Sequence, residues 1–598
     1  MNITYSARVA GMFSTKLLEL PEDILVYLLT FLCVPDILSV RQTCKRFNET
    51  ANLTIVWINA WETQIFRKGY PFPLTISPEA VGKCGIEAHN RSSTALSIQH
   101  MSRVELEQRT RHAYRLAKKW LYEYPVQKFL HDSTFIPLSP LLPHRDIQWV
   151  VSPSISITDV RFVRSVRCST SNLDAGTADE SILVLTVSKG IWSVITIWDV
   201  PIFLHGSDKI QPQPRKRAEW SPKGGLFAGL CLSRDSGSEA DLAVSVVCEG
   251  RHEIVLFNIS DAGELLPICT VPSVPMRAST LTEEDTLHIQ LQTMQPMKPM
   301  TLSGHLLAMS DDTASTVIYN WKTGAFAVLE HEEDEAGVWK HDHAIQVVFA
   351  YRSILVVRAR SLHLFPEPEL CLASPSSLGL TDFTTAPGLH IYSPLANHSF
   401  GWVDGVSVVP VYPDPSISSQ PGTLKILVRL QSDNPWTANE HSLDLYELSV
   451  NPNFVDPAFG HGESITAIQC PYLFPPICTT RVSSTRGPLR CTDLVLGQCG
   501  TAIWVKPGDR ALHGLLTSDV YVDYTYIARL GGLEASGGGV TESLVAGIFP
   551  GPLNPGEEVR TRKICTNISN NWTAFDYDEA IGRLVLGDAA GCVRVLEL

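Results

Sequence analysis

At 598 residues the chain exceeds one small domain and leaves material for a large core. Its 44% hydrophobic and 18% charged content is that of a globular protein, and 48 Lys plus Arg against 62 Asp plus Glu give a formal charge of −14. That charge argues against generic nucleic-acid binding, which needs a basic footprint. The 14 cysteines form no C-x-x-C pair and no Cys/His cluster of zinc-finger spacing, so reduced thiols in a cytoplasmic and/or nuclear protein are expected. The start, Met1-Asn2-Ile3-Thr4-Tyr5-Ser6, lacks a basic region followed by an apolar one, so no signal peptide is expected, and residues 1–14 read as a flexible N-terminus.

Residues 15–60 read as a set of short helices. Thr15-Lys16-Leu17-Leu18-Glu19-Leu20-Pro21-Glu22-Asp23-Ile24-Leu25 opens the first, with Pro21 where a missing N–H costs nothing and Glu22 and Asp23 at the positive helix start. Ile24, Leu25, Leu28, Leu29 and Leu32 make a broad apolar stripe that Phe31 widens. Pro35 and Asp36 begin a second helix bearing Ile37, Leu38 and Val40; Cys44-Lys45-Arg46-Phe47 and Trp57 follow. Helices this short cannot bury so much apolar surface among themselves, so a partner surface is the natural outlet. The apolar run 24–34 is too short to span a membrane and is broken by Thr30 and Pro35.

In order and spacing this segment resembles an F-box, the module that docks a protein onto the adaptor subunit of an SCF-type cullin–RING ubiquitin ligase. The resemblance implies that Leu20, Pro21, Ile24, Leu25, Leu28, Leu32, Ile37, Leu38, Cys44, Phe47 and Trp57 build the F-box core and the adaptor interface. Sequence does not sort which of them face inward.

Residues 61–144 read as a helical linker with a mobile loop. The helix carrying Trp57 and Trp61 continues to Tyr70, and residues 71–100, rich in Pro, Ser and Gly, read as the loop. Over 103–124 a rough apolar stripe (Val104, Leu106, Ala113, Leu116, Ala117, Trp120, Leu121) predicts another helix, and Arg103, Arg109, Arg111, Arg115, Lys118 and Lys119 fill its other side. Such a basic helix binds phosphate or nucleic acid, or is a solvated connector between modules; the connector is the expected reading, and resembling proteins place connecting helices here.

From residue 145 to 598 the hydrophobic period changes to two, and short Val/Ile/Leu strands alternate with Gly, Pro, Ser and Asp clusters, which predicts an all-β domain. A strand pair recurs seven times. Its second members are Val194-Ile195-Thr196-Ile197-Trp198-Asp199, Glu253-Ile254-Val255-Leu256-Phe257-Asn258, Thr316-Val317-Ile318-Tyr319-Asn320, Ser361-Leu362-His363-Leu364-Phe365, Leu443-Asp444-Leu445-Tyr446-Glu447, Ala502-Ile503-Trp504-Val505 and Val593-Arg594-Val595-Leu596. Their first members are 182–187, 242–247, 306–309, 354–357, 424–430, 494–496 and 584–586. The pattern resembles a degenerate WD-repeat β-propeller of about seven blades, with Trp198-Asp199 the sole WD dipeptide in it. Residues 543–549 leave room for an eighth blade, and a pair of packed sheets is the alternative architecture. Closure of the ring, which removes exposed sheet edges, is expected to use residues 149–157 as an outer strand of the last blade.

No catalytic constellation is visible: no phosphate-cradling Gly-rich loop, no H-E-x-x-H and no nucleophile elbow. Gly531-Gly532 and Gly537-Gly538-Gly539 read as flexible loop. Glu332-Glu333-Asp334-Glu335 with His331, His341 and His343 has metal-ligand residue types but reads as a solvated loop, so neither metal nor cofactor is expected. Arg215-Lys216-Arg217 is a nuclear import signal or an exposed loop. Arg251, Arg358, Arg360 and Arg429 are candidates for reading a phosphorylated degron, and strand arginines are as often solvent-facing, so no substrate pocket is assigned. The resemblances together imply a non-catalytic substrate-recognition subunit that acts by proximity, holding an adaptor, through it a cullin, and an unknown protein substrate. A scaffold that binds the adaptor outside a ubiquitin ligase is the alternative.

Overall fold

The computed structural model describes residues 19–72, 101–121, 145–153, 155–163, 181–201, 213–233, 235, 238–260, 262–272, 297–311, 315–330, 342–372, 391–411, 422–431, 441–454, 470–484, 490–507, 541–556 and 558–598. Four short helices come first: α1 (Glu22–Leu29), α2 (Val34–Arg41), α3 (Lys45–Ala51) and α4 (Thr54–Trp61), the last running into a π-helical turn, Glu62–Phe66. Pro21 caps α1, with Glu22 and Asp23 in its first turn. Cys33 caps α2, its thiol hydrogen-bonded to Asp36 Oδ2 at 2.7 Å, and Pro35 sits in the first turn where no N–H is needed. Leu29, Val34, Ile37, Ala51, Val56, Trp57 and Ile65 form the core of the helical module. The indole of Trp57 donates to the Ala51 carbonyl at 2.9 Å, so this fully buried ring leaves no polar atom unmatched.

Helix α5 (Arg103–Trp120) follows, its N-cap Ser102 accepting from the Glu105 amide. No helix among the described residues is long and apolar enough to cross a membrane.

The rest is a ring of seven sheets, each built from strands in antiparallel chain order. Blade 1 comprises Ser156–Val163, Ser181–Lys189, Ser193–Pro201 and Arg215–Trp220. Blades 2 to 6 span 226–272, 298–329, 344–399, 402–484 and 494–567; in blade 3 a two-residue strand, Ile391–Tyr392, adds in parallel outside Phe326–Leu329. Blade 7 contains Trp572–Asp578, Arg583–Asp588 and Cys592–Glu597 and is completed by Arg145–Val150, which pairs antiparallel with Cys592–Glu597. One sheet thus contains chain from both ends of the domain, and this strand closes the ring. Closure uses less of the expected segment than 149–157: Ser156 and Ile157 already belong to the first strand of blade 1.

The first strands pack on one another between blades 7 and 1 and from blade 2 through blade 6. Six of the seven carry a one-residue register shift near their start (157/159, 227/229, 299/301, 344/346, 403/405 and 572/574), the extra residue bending the innermost strand. Middle strands are apolar on both sides because each blade is covered by two neighbours; Val184, Leu185, Leu355, Val356, Ile426 and Leu427 are all buried. Trp198 donates its indole N–H to Thr186 Oγ1 at 3.0 Å, tying two strands of blade 1.

There is no eighth blade at 543–549: Glu542–Ile548 is the third strand of blade 6, paired to Thr501–Lys506. In that blade the expected strand pair is displaced by one position, because Leu494–Leu496 is the short innermost strand.

Antiparallel order puts the first-to-second and third-to-fourth turns of each blade on one face of the ring, and the second-to-third and blade-to-blade connections on the other. Which face meets the helical module follows from contacts. Gly69, just after the π-helical turn, lies against Pro552, in the third-to-fourth connection of blade 6. Leu116 of α5 lies on Gly582, in the first-to-second turn of blade 7: a Cβ there would come within 2.5 Å of the leucine.

Candidate functional site

The sequence-derived F-box residues separate into three groups. Leu25, Ile37 and Trp57 are buried in the helical core, while Leu20, Leu32, Leu38, Cys44 and Phe47 are half-buried. Pro21, Ile24 and Leu28 point out. The outward set is larger than the sequence stripe indicates. Tyr27 is 61% exposed and Phe31 67% exposed, and their rings meet edge to face at 5.0 Å. Ile24, Tyr27, Leu28 and Phe31 follow i, i+3, i+4, i+7, so α1 carries one apolar stripe inward (Leu25, Leu29) and, with Phe31 in the turn that follows it, a second, aromatic one outward. The outward spacing was the available signal; an eight-residue helix with two apolar faces does not announce which one the core takes. Next to this face, Arg46 hydrogen-bonds the Leu20 carbonyl and pins the chain entering α1.

Helix α5 belongs to two cores at once. Leu106 and Ala113 belong to the core of α1–α4, and Leu116, Ala117 and Trp120, nearer the C-terminus of α5, to the apolar layer between blades 6 and 7. The indole of Trp120 packs edge-on to Tyr577, 6.3 Å between ring centres. The helix connects the two modules as expected, but only half of its basic side is solvated: Arg115, Lys118 and Lys119 are exposed, whereas Arg103, Arg109 and Arg111 are not. Glu107 is buried and receives Arg41 at 2.9 Å, Arg103 at 3.2 Å and Arg111 at 3.4 Å; Arg109, also buried, pairs with Glu105 at 2.6 Å. At the far end Arg562 of blade 6 donates to the Lys119 carbonyl at 2.8 Å, occupying a helix-terminal acceptor. The two modules are therefore joined by a helix anchored at both ends.

His112, between the two anchors, is held neutral. Burial, then the Arg583 and Arg115 charges, lower its pKa from 6.5 to about 4 against the opposing pull of Glu597. The unfolded chain takes up this proton at higher pH, so the contribution is complete above pH 6.5 and is lost as pH falls towards 4. The expected loss is about 3 kcal/mol. Urea midpoints measured from pH 7 to pH 4 should fall for the native chain and fall less for His112→Asn; parallel profiles would contradict this placement.

The arginines considered for phosphate reading are mostly committed within the propeller. Arg358 is fully buried, donating to the Asp342 carbonyl at 3.2 Å and Thr316 Oγ1 at 3.3 Å. Arg429 is buried on Asp404 (2.6 Å) and the Thr492 carbonyl (2.7 Å). The Arg360 guanidinium stacks on Trp402 at 3.9 Å. Arg251 alone of the four is exposed, on the second-to-third turn of blade 2.

Arg215-Lys216-Arg217 is not a loop but part of the outer strand of blade 1, with Arg217 paired to Asp199 and Lys216 to Glu219. Among the described residues no group of three His, Cys, Asp or Glu side chains is placed to hold a metal ion, and the described cysteines are free thiols. Of the acidic His-flanked segment only His343, exposed, falls within the described residues; the glycine runs 531–532 and 537–539 lie outside them.

A small helical module with an outward apolar stripe and a ring of seven sheets behind it define the class: an F-box-like domain joined to a seven-bladed β-propeller. Residues 17–61 match the family model described as F-box-like. No curated protein matches the chain. Among solved structures, a chain of a mitotic checkpoint complex covers 80% of this protein and 97% of its own length at 8% identity and a TM-score of 0.36. The β-propeller domain of Cps50 (Swd1) from Myceliophteria thermophila covers 75% and 99% at 8% identity and 0.37. A chain of a humanized mutant of the Chaetomium thermophilum Polycomb Repressive Complex 2 covers 76% and 98% at 12% identity and 0.40. At these scores the propeller rests on its own strand pairing.

Proposed function

We propose that this protein is a substrate-recognition subunit of an SCF-type cullin–RING ubiquitin ligase, its F-box docking the adaptor and its propeller binding a protein substrate. The observation that carries the reading is the outward stripe of Ile24, Tyr27, Leu28 and Phe31 on an F-box-like domain. A stripe with two large aromatic side chains in water is costly to keep unless a partner covers it. Anchorage of α5 in both cores supports the reading as well, because a receptor works by holding its cargo at a set distance and orientation from the bound ligase. Neither role requires an active site in this chain. Its place of action would be the cytoplasm or nucleus.

Proximity labelling from the full-length chain, with and without proteasome inhibition, tests the receptor reading. Expected are adaptor and cullin in both samples and a set of proteins that rises only on inhibition. Adaptor without cullin, and no protein that accumulates, would instead establish the scaffold alternative.

A further inference from the structure

We propose that the loop rim over blades 1 and 2, on the propeller face opposite the F-box, docks an acidic peptide segment bearing bulky apolar side chains; the inference deepens the receptor reading above by naming the class of its cargo.

The rim is centred on the hairpin between Ser181–Lys189 and Ser193–Pro201. At its tip Ile191 is 89% exposed and Trp192 40% exposed. Single exposed apolar residues are ordinary, but this pair does not stand alone. Gly190 lies against Ile155, in the connection from blade 7 to blade 1, where a Cβ would be 3.5 Å from the isoleucine. On the other side the hairpin is tied to the connection between blades 1 and 2. The Ser193 amide donates to the Gly225 carbonyl at 2.9 Å, Ser221 Oγ to the Ser193 carbonyl at 2.9 Å, and the Phe227 amide to Ser193 Oγ at 3.1 Å. That ties the connection carrying Pro222 and the exposed Leu226 to Ser193, the residue that follows Trp192. The tip is therefore braced by both neighbouring loops, so little ordering entropy opposes binding.

Charge selects the occupant. Lys189 and Lys223 are exposed on these same two loops, and Arg251 is exposed on the adjacent second-to-third turn of blade 2, which Cys248 ties to the Lys223 carbonyl. Among the described residues none of the three cations has a carboxylate partner. The exposed acids on these elements are Glu249 and Glu253, on either side of Arg251, and Glu219, which is paired with Lys216; the Asp588 carboxylate is occupied by the Ala590 and Cys592 amides. The described residues of the hairpin tip and of the 221–225 connection carry Lys189 and Lys223 and no acid, so in a chain of net charge −14 the part of the rim around Trp192 is locally basic, and an anionic apolar segment is its complement.

A fluorescent synthetic peptide alternating Glu with Leu and Phe is the probe, titrated into the full chain. The native chain should bind it, more weakly as salt rises. I191S combined with W192S should cost at least about tenfold in affinity, since buried aromatic anchors dominate such interfaces. Reversing the sign at Lys189 and Lys223 with Glu should weaken binding and abolish its salt dependence. Both variants should melt with the native chain, because the replaced side chains are exposed. Equal binding by I191S/W192S, equal binding of a peptide with Lys in place of Glu, or binding of phosphatidylserine vesicles but not the peptide would each overturn the inference. Peptide binding by a chain that captures no adaptor would leave this surface standing and remove the ligase reading; adaptor capture without peptide binding would do the reverse.

Discussion

Trp120→Ala is expected to destabilise the propeller by about 3–5 kcal/mol, the usual cost of emptying a fully buried aromatic site. The ring fills the layer between blades 6 and 7 beside Ile564, Tyr577 and Leu584, and it is the last residue of α5. Two consequences should therefore appear together. The melting temperature of the β domain drops, and the helical module is freed from it, so that unfolding by calorimetry splits into two transitions. Val104→Ala, at an exposed position on the same helix, should change stability by no more than about 0.5 kcal/mol. A native-like single transition for Trp120→Ala would mean that α5 does not couple the modules.

The second large effect is on binding. Replacing Tyr27 and Phe31 together with Asp should lower adaptor affinity by about a hundredfold or more, since anchor side chains of this kind each contribute about 2 kcal/mol or more at an interface. Both rings face solvent, so the variant should keep the native melting temperature. Leu25→Asp is the contrast: it places a charge in the closed core and should unfold the F-box outright. Isothermal titration with purified adaptor, beside thermal melts, separates the two cases. Undiminished affinity for the Tyr27/Phe31 variant would remove the outward stripe from the interface.

How much of this was legible in the sequence depends on what each residue's partner is. Strands such as those holding Ile182 to Val187 or Ile354 to Val357 are apolar at almost every position because two blades cover them, and that run is visible without knowing the neighbours. Blade 6 departs from the expected pairing for the complementary reason. Its innermost strand has three residues, and its second and third strands, Thr501–Lys506 and Glu542–Ile548, are separated by a long connection that hides their pairing. The F-box motif fixed the module but not its sides. Leu25 and Ile24 are adjacent and equally apolar, yet one is sealed in the core and the other faces out. The same limit hid α5: periodicity identifies a buried face from Leu106 to Trp120, whereas the division of that face between two cores is a property of the assembled molecule. Arg358 and Arg429 mislead in the opposite sense. Strand arginines suggest a charged surface, and here their guanidiniums are consumed inside the propeller by Thr316 and Asp404.

The role we propose is that one chain links a ubiquitin-ligase adaptor to a propeller-bound protein. Size-exclusion chromatography of the purified full chain with purified adaptor and cullin tests it most directly. The account predicts a stoichiometric three-protein complex that forms with the native chain and not with the Tyr27/Phe31 variant. A chain that elutes alone, or one that still recruits adaptor and cullin after the stripe on α1 has been charged, would contradict it.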